Sequence, residues 1–252
     1  MQRFVRPTLP RNVSGYFARK QATVDQGADV NASWDSARKT RTMGIAVGLL
    51  RSMVGETERC MYCSDSRGVS VDHFWPKAPY PDRAFHWLNM LLACDGCNRK
   101  KGDRFCLDAT GSPLLIDPTS EDPWLYLFFD SDTGLLAARV DADTGLATPK
   151  GEHVTDPEVL PLNIEAVASG RRRTYRNLRR AVEAFMAAAA SPRVREAAII
   201  ELQQAIEDNS NYGLATWCFV RDGSNEGVFL RFRNQFPDVR RTFLQTMRCF
   251  QA

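Results

Sequence analysis

The sequence predicts an α+β chain. A small strand–loop–strand–helix unit stapled by four cysteines sits between an N-terminal helical segment and a β-hairpin-rich middle, which leads into a helical C-terminal part. Three observations predict it. Two CxxC pairs, Cys60/Cys63 and Cys94/Cys97, enclose 30 residues that begin and end in strand-like runs. Apolar runs punctuated by Asp-Gly turn signals follow in the middle of the chain. Apolar residues recur at helical spacing before the first pair and again beyond Asn163.

Residues 1–35 mix Pro, Gly, Asn and polar residues with weak periodicity. Between Ser36 and Val54, the positions Met43, Val47, Leu50 and Val54 predict a helix ending near Gly55. Val69 and Val71 alternate with polar neighbours, so a short strand runs into Asp72–His73 and breaks at Pro76. Residues 75–88, rich in proline and aromatics, read as a loop. "NMLLA" is a second strand, and the second CxxC opens a short helix, roughly 95–101, closed by Gly102.

Further on, "LLID", "WLYLFFD" and "LLAARVD" read as strands. "DSDTGLLA" recurs as "DADTGLAT" eleven residues later. D-x-D-x-G suggests a calcium loop, but the glycine falls one place early and no Glu closes twelve residues. Two hairpin turns are the better reading. Asn163 is placed to cap a helix with the stripe Tyr175, Leu178, Val182 and Phe185, and with Arg172, Arg176, Arg179 and Arg180 elsewhere on its surface. Ser191-Pro192 begins a second helix to about Asn209. Pro237 begins a last one with Val239, Phe243, Met247 and Phe250 on one face. The chain thus divides into 1–57, 58–110 and 111–252.

No apolar run reaches the roughly 20 residues that span a bilayer. The first residues lack the apolar core of a signal peptide. A cytoplasmic protein is expected, with no membrane partner. Charge is uneven: Lys and Arg outnumber Asp and Glu by 9 to 4 in residues 1–57 and by 14 to 8 in 171–252, but are outnumbered 12 to 2 in 105–170. A polyanion would therefore meet the flanks and avoid the middle.

Four of the seven cysteines lie in the two pairs. Without an export signal, that pattern reads as metal ligation before disulfides, and a four-cysteine structural Zn²⁺ site is expected. A redox CxxC would need a thioredoxin-like βαβ context, which is missing. Cys106, Cys218 and Cys249 are expected to be small buried apolar residues. Within the stapled segment, Asp72 and His73 are adjacent on a strand and should point to opposite faces. That suits a division of labour, with Asp72 holding a metal and His73 acting as a base whose pKa lies near neutrality. His86 is expected to pack with Trp87.

The combination "CMYC…VDHFWPK…HWLNMLLACDGCNRKKG", from Cys60 to Arg104, resembles the ββα-metal motif of HNH endonucleases in its four-cysteine form. The resemblance implies His73 as the general base that activates water, and Asp72 and Asn98 as ligands of a catalytic divalent cation. It makes Asn89 the residue that orients the His73 ring, and Cys60, Cys63, Cys94 and Cys97 the zinc ligands. An Asp and Asn oxygen pair suits Mg²⁺ or Mn²⁺. Arg99, Lys100, Lys101 and Arg104 would bind nucleic acid, with Lys101 at the family's lysine. The order of "VDHFWPK", "PLLIDPTSEDPWLYLFF" and "VLPLNIEAVASGRRRTY" is similar to that in HNH effectors of Septu-type and retron-associated anti-phage systems, where a nuclease works beside an ATPase. Residues 1–55 carry little of this pattern.

The function implied is hydrolysis of DNA phosphodiesters by a defence effector with a protein partner such as a defence-system ATPase. RNA remains open as substrate, as in an RNA-cleaving toxin. A non-catalytic, zinc-stabilised module that binds nucleic acid or a partner is the alternative.

Overall fold

The structure, a computed structural model, describes residues 1–188, 192–207 and 211–246. At its centre β1 (Ser70–His73) pairs antiparallel with β2 (Met90–Ala93), Ser70 opposite Ala93 and His73 opposite Met90. All four residues of β2 are buried, which is why its sequence is a continuous apolar run rather than an alternating one. Cys94 then caps helix α4 (Asp95–Lys101), and Gly102 ends it at φ +45°, a conformation open to glycine. This strand–loop–strand–helix unit lies where the sequence places it.

The N-terminal segment is more ordered than its sequence suggests. Helices α1 (Arg11–Asp25), α2 (Val30–Ala37) and α3 (Arg41–Val54) precede the hairpin. Asp29 caps α2 by accepting from the Ala32 N–H at 2.7 Å, and Thr40 caps α3 through Met43 N–H at 3.2 Å. Helix α3 therefore starts five residues after Ser36. Helix α1 buries Val13, Phe17, Gln21 and Val24. A glutamine inside that stripe weakens the apolar period, yet it has partners. Its side chain donates to the Pro81 carbonyl at 3.0 Å and accepts from the Phe85 N–H at 2.8 Å.

The middle contains less strand than expected. Only β3 (Leu127–Phe129) and β4 (Leu136–Ala138) form a ladder among the described residues there, flanked by isolated bridges and followed by α5 (Pro149–Thr155). The repeated Asp-Thr-Gly segments are hairpin turns. The Gly134 N–H reaches the Asp130 carbonyl at 2.8 Å, and Gly145 repeats this with Asp141 at 2.9 Å. Each aspartate side chain also accepts from backbone N–H groups of its own turn.

Asn163 does not cap the next helix. Its amide exchanges two bonds with Leu136 of β4, at 2.9 and 2.7 Å, and accepts from Arg171 at 3.0 Å. A tertiary partner has taken the group that a local cap would use. Helix α6 (Glu165–Ala188) buries Leu178, Val182 and Phe185 as expected. Helix α7 (Pro192–Glu207) follows; its cap at Ser191 and its end near Asn209 lie outside the described residues. Helices α8 (Leu214–Phe219) and α9 (Gly227–Gln235) were not expected. Helix α10 (Pro237–Thr246) begins at Pro237 and buries Phe243. Met247, Phe250 and Cys249 lie outside the described residues. Cys218 is buried, whereas Cys106 is exposed, contrary to expectation.

Buried side chains from all three sequence segments join one hydrophobic cluster. The first residues help to close it. Phe4 donates to the Pro118 carbonyl at 2.7 Å, and Arg6 donates to the carbonyls of Trp87 and Met90 at 2.8 and 2.9 Å.

Gly134 has φ +80°, and a Cβ there would collide with the Ala168 carbonyl of α6. The buried Arg171 guanidinium also donates to the Gly134 carbonyl, at 2.7 Å. Gly134→Ala should therefore destabilise the chain by about 2 kcal/mol or more. Urea denaturation checks this; an unchanged midpoint would mean that the turn relaxes freely.

Candidate active site

The four cysteines meet where the segment before β1 joins the start of α4. Their sulfurs all lie within 4.8 Å of one another, and Cys63 Sγ is 3.9 Å from Cys94 Sγ. Zinc–sulfur bonds of about 2.3 Å in a tetrahedron set sulfur–sulfur edges of about 3.8 Å, whereas a disulfide needs about 2.05 Å. All four residues are buried. Bonding among the four shifts them in opposite directions: the bond with Cys60 helps to draw the Cys63 thiol down to about 7 and bonds from the other three pull Cys94 down, while burial pushes Cys60 up and bonds from its neighbours push Cys97 up. Thiolates are the metal-binding form, so a zinc ion would displace the remaining thiol protons, and the spacing of the four buried sulfurs is what lets them hold it.

Beside this cluster, the end of β1, helix α4 and helix α2 enclose a cleft of about 500 Å³. Asp72, His73, Asn98 and Lys101 all line it, as does Trp34. Adjacent strand residues should face opposite ways, yet Asp72 and His73 both border the cleft. His73 is the last residue of β1, so the pleat no longer continues beyond it.

His73 is 7% exposed, and its ring lies edge-on to Trp34 with centroids 4.3 Å apart. Nε2 stands 2.9 Å from the Ala84 carbonyl. A carbonyl can only accept, so Nε2 carries the proton and Nδ1 keeps its lone pair. Burial pushes the imidazole down to about 4, and Lys77 and Lys101 add to that shift. At neutral pH it is an uncharged base.

Asn89 makes no hydrogen bond to the ring among the described residues. Its oxygen accepts from the Trp75 N–H at 2.6 Å, and its nitrogen donates to the carbonyls of Trp75 at 3.0 Å and Arg83 at 2.9 Å. It braces the loop that presents the neighbouring Ala84 carbonyl, so any effect on His73 is indirect.

Asp72 is 5% exposed and already well bonded. The Tyr62 hydroxyl donates to one oxygen at 2.6 Å. Lys101 Nζ is 3.2 Å from Oδ1 and 3.1 Å from Oδ2, and donates to the His73 carbonyl at 2.6 Å. Burial raises the Asp72 pKa, while Lys101 and Tyr62 oppose the rise. Asn98 donates its amide N–H to the Ser70 hydroxyl at 2.9 Å, and its side-chain oxygen accepts no hydrogen bond from the described residues. Ser70 and Asp72 share one face of β1 because they are two residues apart.

The expected basic cluster divides. Lys101 is 1% exposed and faces inward, toward Asp72 and the cleft it lines. Lys100 pairs with Glu158 at 3.1 Å, a surface contact of little energetic weight. Arg99 and Arg104 are exposed. His86 is exposed as well, at the rim of a second cleft that Trp87 also lines. Sequence reasoning missed Trp34, the Ala84 carbonyl and Tyr62. Tyr62 could have been suspected from its place inside the first CxxC pair; nothing local marks Trp34.

No family model matches the chain. Over 70 residues it is 37% identical to the Septu protein PtuB of Bacillus thuringiensis, covering 26% of each chain. Over 87 residues it is 31% identical to protein ea31 of Escherichia phage lambda, covering 32% of this chain and 29% of that one. The likeness is therefore confined to about a quarter to a third of these curated relatives. None of the described helices is long and apolar enough to cross a membrane.

The low His73 pKa has a consequence for stability. Well above 6.5, the ordinary value, neither folded nor unfolded chain protonates this imidazole. As pH falls from 6.5 toward about 4, the unfolded chain gains the proton and the folded chain resists it. Stability is thus lost across that window. Between pH 7 and pH 4.5, wild type should lose about 2–3 kcal/mol more than His73→Gln. Denaturant titrations of both at the two pH values measure it, and equal losses would show that His73 titrates normally.

Proposed function

We propose that this chain is a metal-dependent HNH endonuclease that hydrolyses DNA, acting in the cytoplasm as an effector of bacterial anti-phage defence. The observation that carries the reading is the cleft itself. A neutral, oriented histidine stands beside a carboxylate and an amide oxygen, with a sulfur tetrad fixing the helix that bears the amide. Residues 58–110 would carry the chemistry, and residues 111–252 would dock a partner or nucleic acid. The partial likeness to a Septu protein supports a defence role, and a defence-system ATPase would be the partner.

His73 Nδ1 takes a proton from a water molecule, and the water oxygen attacks phosphorus. The P–O3′ bond breaks and the departing O3′ takes a proton from solvent water, leaving 5′-phosphate and 3′-hydroxyl ends. The Ala84 carbonyl holds Nε2–H so that Nδ1 stays available, and Asn89 steadies the segment bearing that carbonyl. Asp72 and Asn98 supply oxygen donors suited to Mg²⁺ or Mn²⁺, which when bound would neutralise charge on the phosphate and the leaving oxygen. The exposed Arg99 and Arg104 would meet the phosphate backbone. The four cysteines would hold structural zinc.

One observation favours a second reading, a zinc-stabilised module that binds without cleaving. Asp72 is already neutralised by Lys101, as a carboxylate with a purely structural task would be.

Purified chain incubated with supercoiled DNA, linear DNA and RNA, with Mg²⁺ or Mn²⁺ and with the product of the neighbouring gene, tests the proposal. Cleavage should fall about 10²–10⁴-fold in His73→Ala, and Asp72→Ala and Asn98→Ala should be inactive. Cleavage undiminished in His73→Ala would refute the mechanism, and binding without turnover under every condition would favour the module. Native mass spectrometry should find one zinc per chain, lost in Cys97→Ser together with thermal stability.

A further inference from the structure

We propose that Lys101 is a resident cation at the position expected to take a divalent metal. Its ammonium neutralises Asp72 when no metal is bound and withdraws into the cleft when metal binds. This rests on the reading of Asp72 and Asn98 as metal ligands, and it adds a requirement that reading does not contain.

The geometry is that of an occupied cation site. Lys101 Nζ lies 3.2 and 3.1 Å from the two Asp72 oxygens and 2.6 Å from the His73 carbonyl. The side chains of Lys101 and Asp72 are 1% and 6% exposed. A buried ammonium seldom finds better company than a carboxylate and a carbonyl together. The Tyr62 hydroxyl already donates to Asp72 Oδ2, so an incoming metal shares the carboxylate with two donors. Metal–oxygen bonds of Mg²⁺ are about 2.1 Å, so a metal on either oxygen would sit no more than about 5.3 Å from Nζ. Two cations at that separation in a desolvated pocket repel strongly.

One of them has to leave, and Lys101 has the means. Its flexible four-carbon stem ends at the wall of the cleft, which Lys101 itself lines. Gly102 follows it directly and ends the helix. After withdrawal the ammonium would remain inside the cleft, facing the space beside Asn98. The neutralising charge is thereby moved rather than lost. The inference makes metal loading a competition within the chain, which weakens metal affinity when no substrate is present.

Binding of Mn²⁺ to the zinc-loaded full chain, followed by electron paramagnetic resonance without nucleic acid, tests it. Lys101→Met should bind Mn²⁺ at least tenfold more tightly than wild type, and Asp72→Asn should abolish binding in both backgrounds. Equal or weaker binding by Lys101→Met, or no binding by any form, would overturn the inference. The variant could also disturb folding, so wild type provides an independent measurement. Amine acylation read by mass spectrometry should find Lys101 protected without Mn²⁺ and several times more reactive at saturation, with Lys100 as the internal reference. Protection unchanged at saturating Mn²⁺ overturns the inference. The two proposals fail separately: a chain that exchanges Lys101 for Mn²⁺ yet cuts no nucleic acid refutes the nuclease alone. A chain that cuts DNA while Lys101 stays protected refutes the exchange alone.

Discussion

The convergence of four cysteine sulfurs within 4.8 Å is the constraint from which the rest of the site follows. It joins two stretches of chain that 30 intervening residues separate. One stretch leads into β1 and the other caps α4, so the sulfurs set the angle at which that helix crosses the strand. Once the angle is set, Asn98 falls over Ser70 and Lys101 over Asp72. A seven-residue helix has too few internal bonds to hold its own orientation. Its side chains reach β1 because the first turn is tied down.

The second theme is the management of charge away from water. Asp72, His73 and Lys101 are all buried within a few ångströms of one another. Each solves the problem differently. His73 stays neutral, since burial makes its protonated form unfavourable. Asp72 keeps two donors around it, and Lys101 gains a carboxylate and a carbonyl. Asp72 and Lys101 depend on each other most, because removing either leaves the other's buried charge without its counter-charge.

What could be read from the sequence was whatever depends on local chemistry. The hairpin, α4 and Gly102 are marked by an unbroken apolar run, a CxxC cap and a glycine stop, and they lie where expected. The Asp-Gly turns were legible for the same reason. The misses have tertiary causes. Gln21 satisfies a distant loop and thereby blurs the stripe of α1. Asn163 looks like a cap but is engaged by β4 and Arg171. For Lys101 the signal is local: it lies four residues after Cys97, on the buried face of α4, and helical period separates it from Arg99 and Lys100. Trp34 comes from a segment with no motif, and only the fold brings it to His73.

The partner of His73 Nε2 is a peptide oxygen, and this changes where selection can act. Exchanging Ala84 for another residue that fits leaves its carbonyl in place, so position 84 need record only size. The constraint passes to whatever sets the loop's path, and Asn89, with bonds to Arg83 and Trp75, is that group. Across a set of relatives, the imprint of the imidazole's aim would therefore appear at an asparagine whose own hydrogen bonds all go elsewhere.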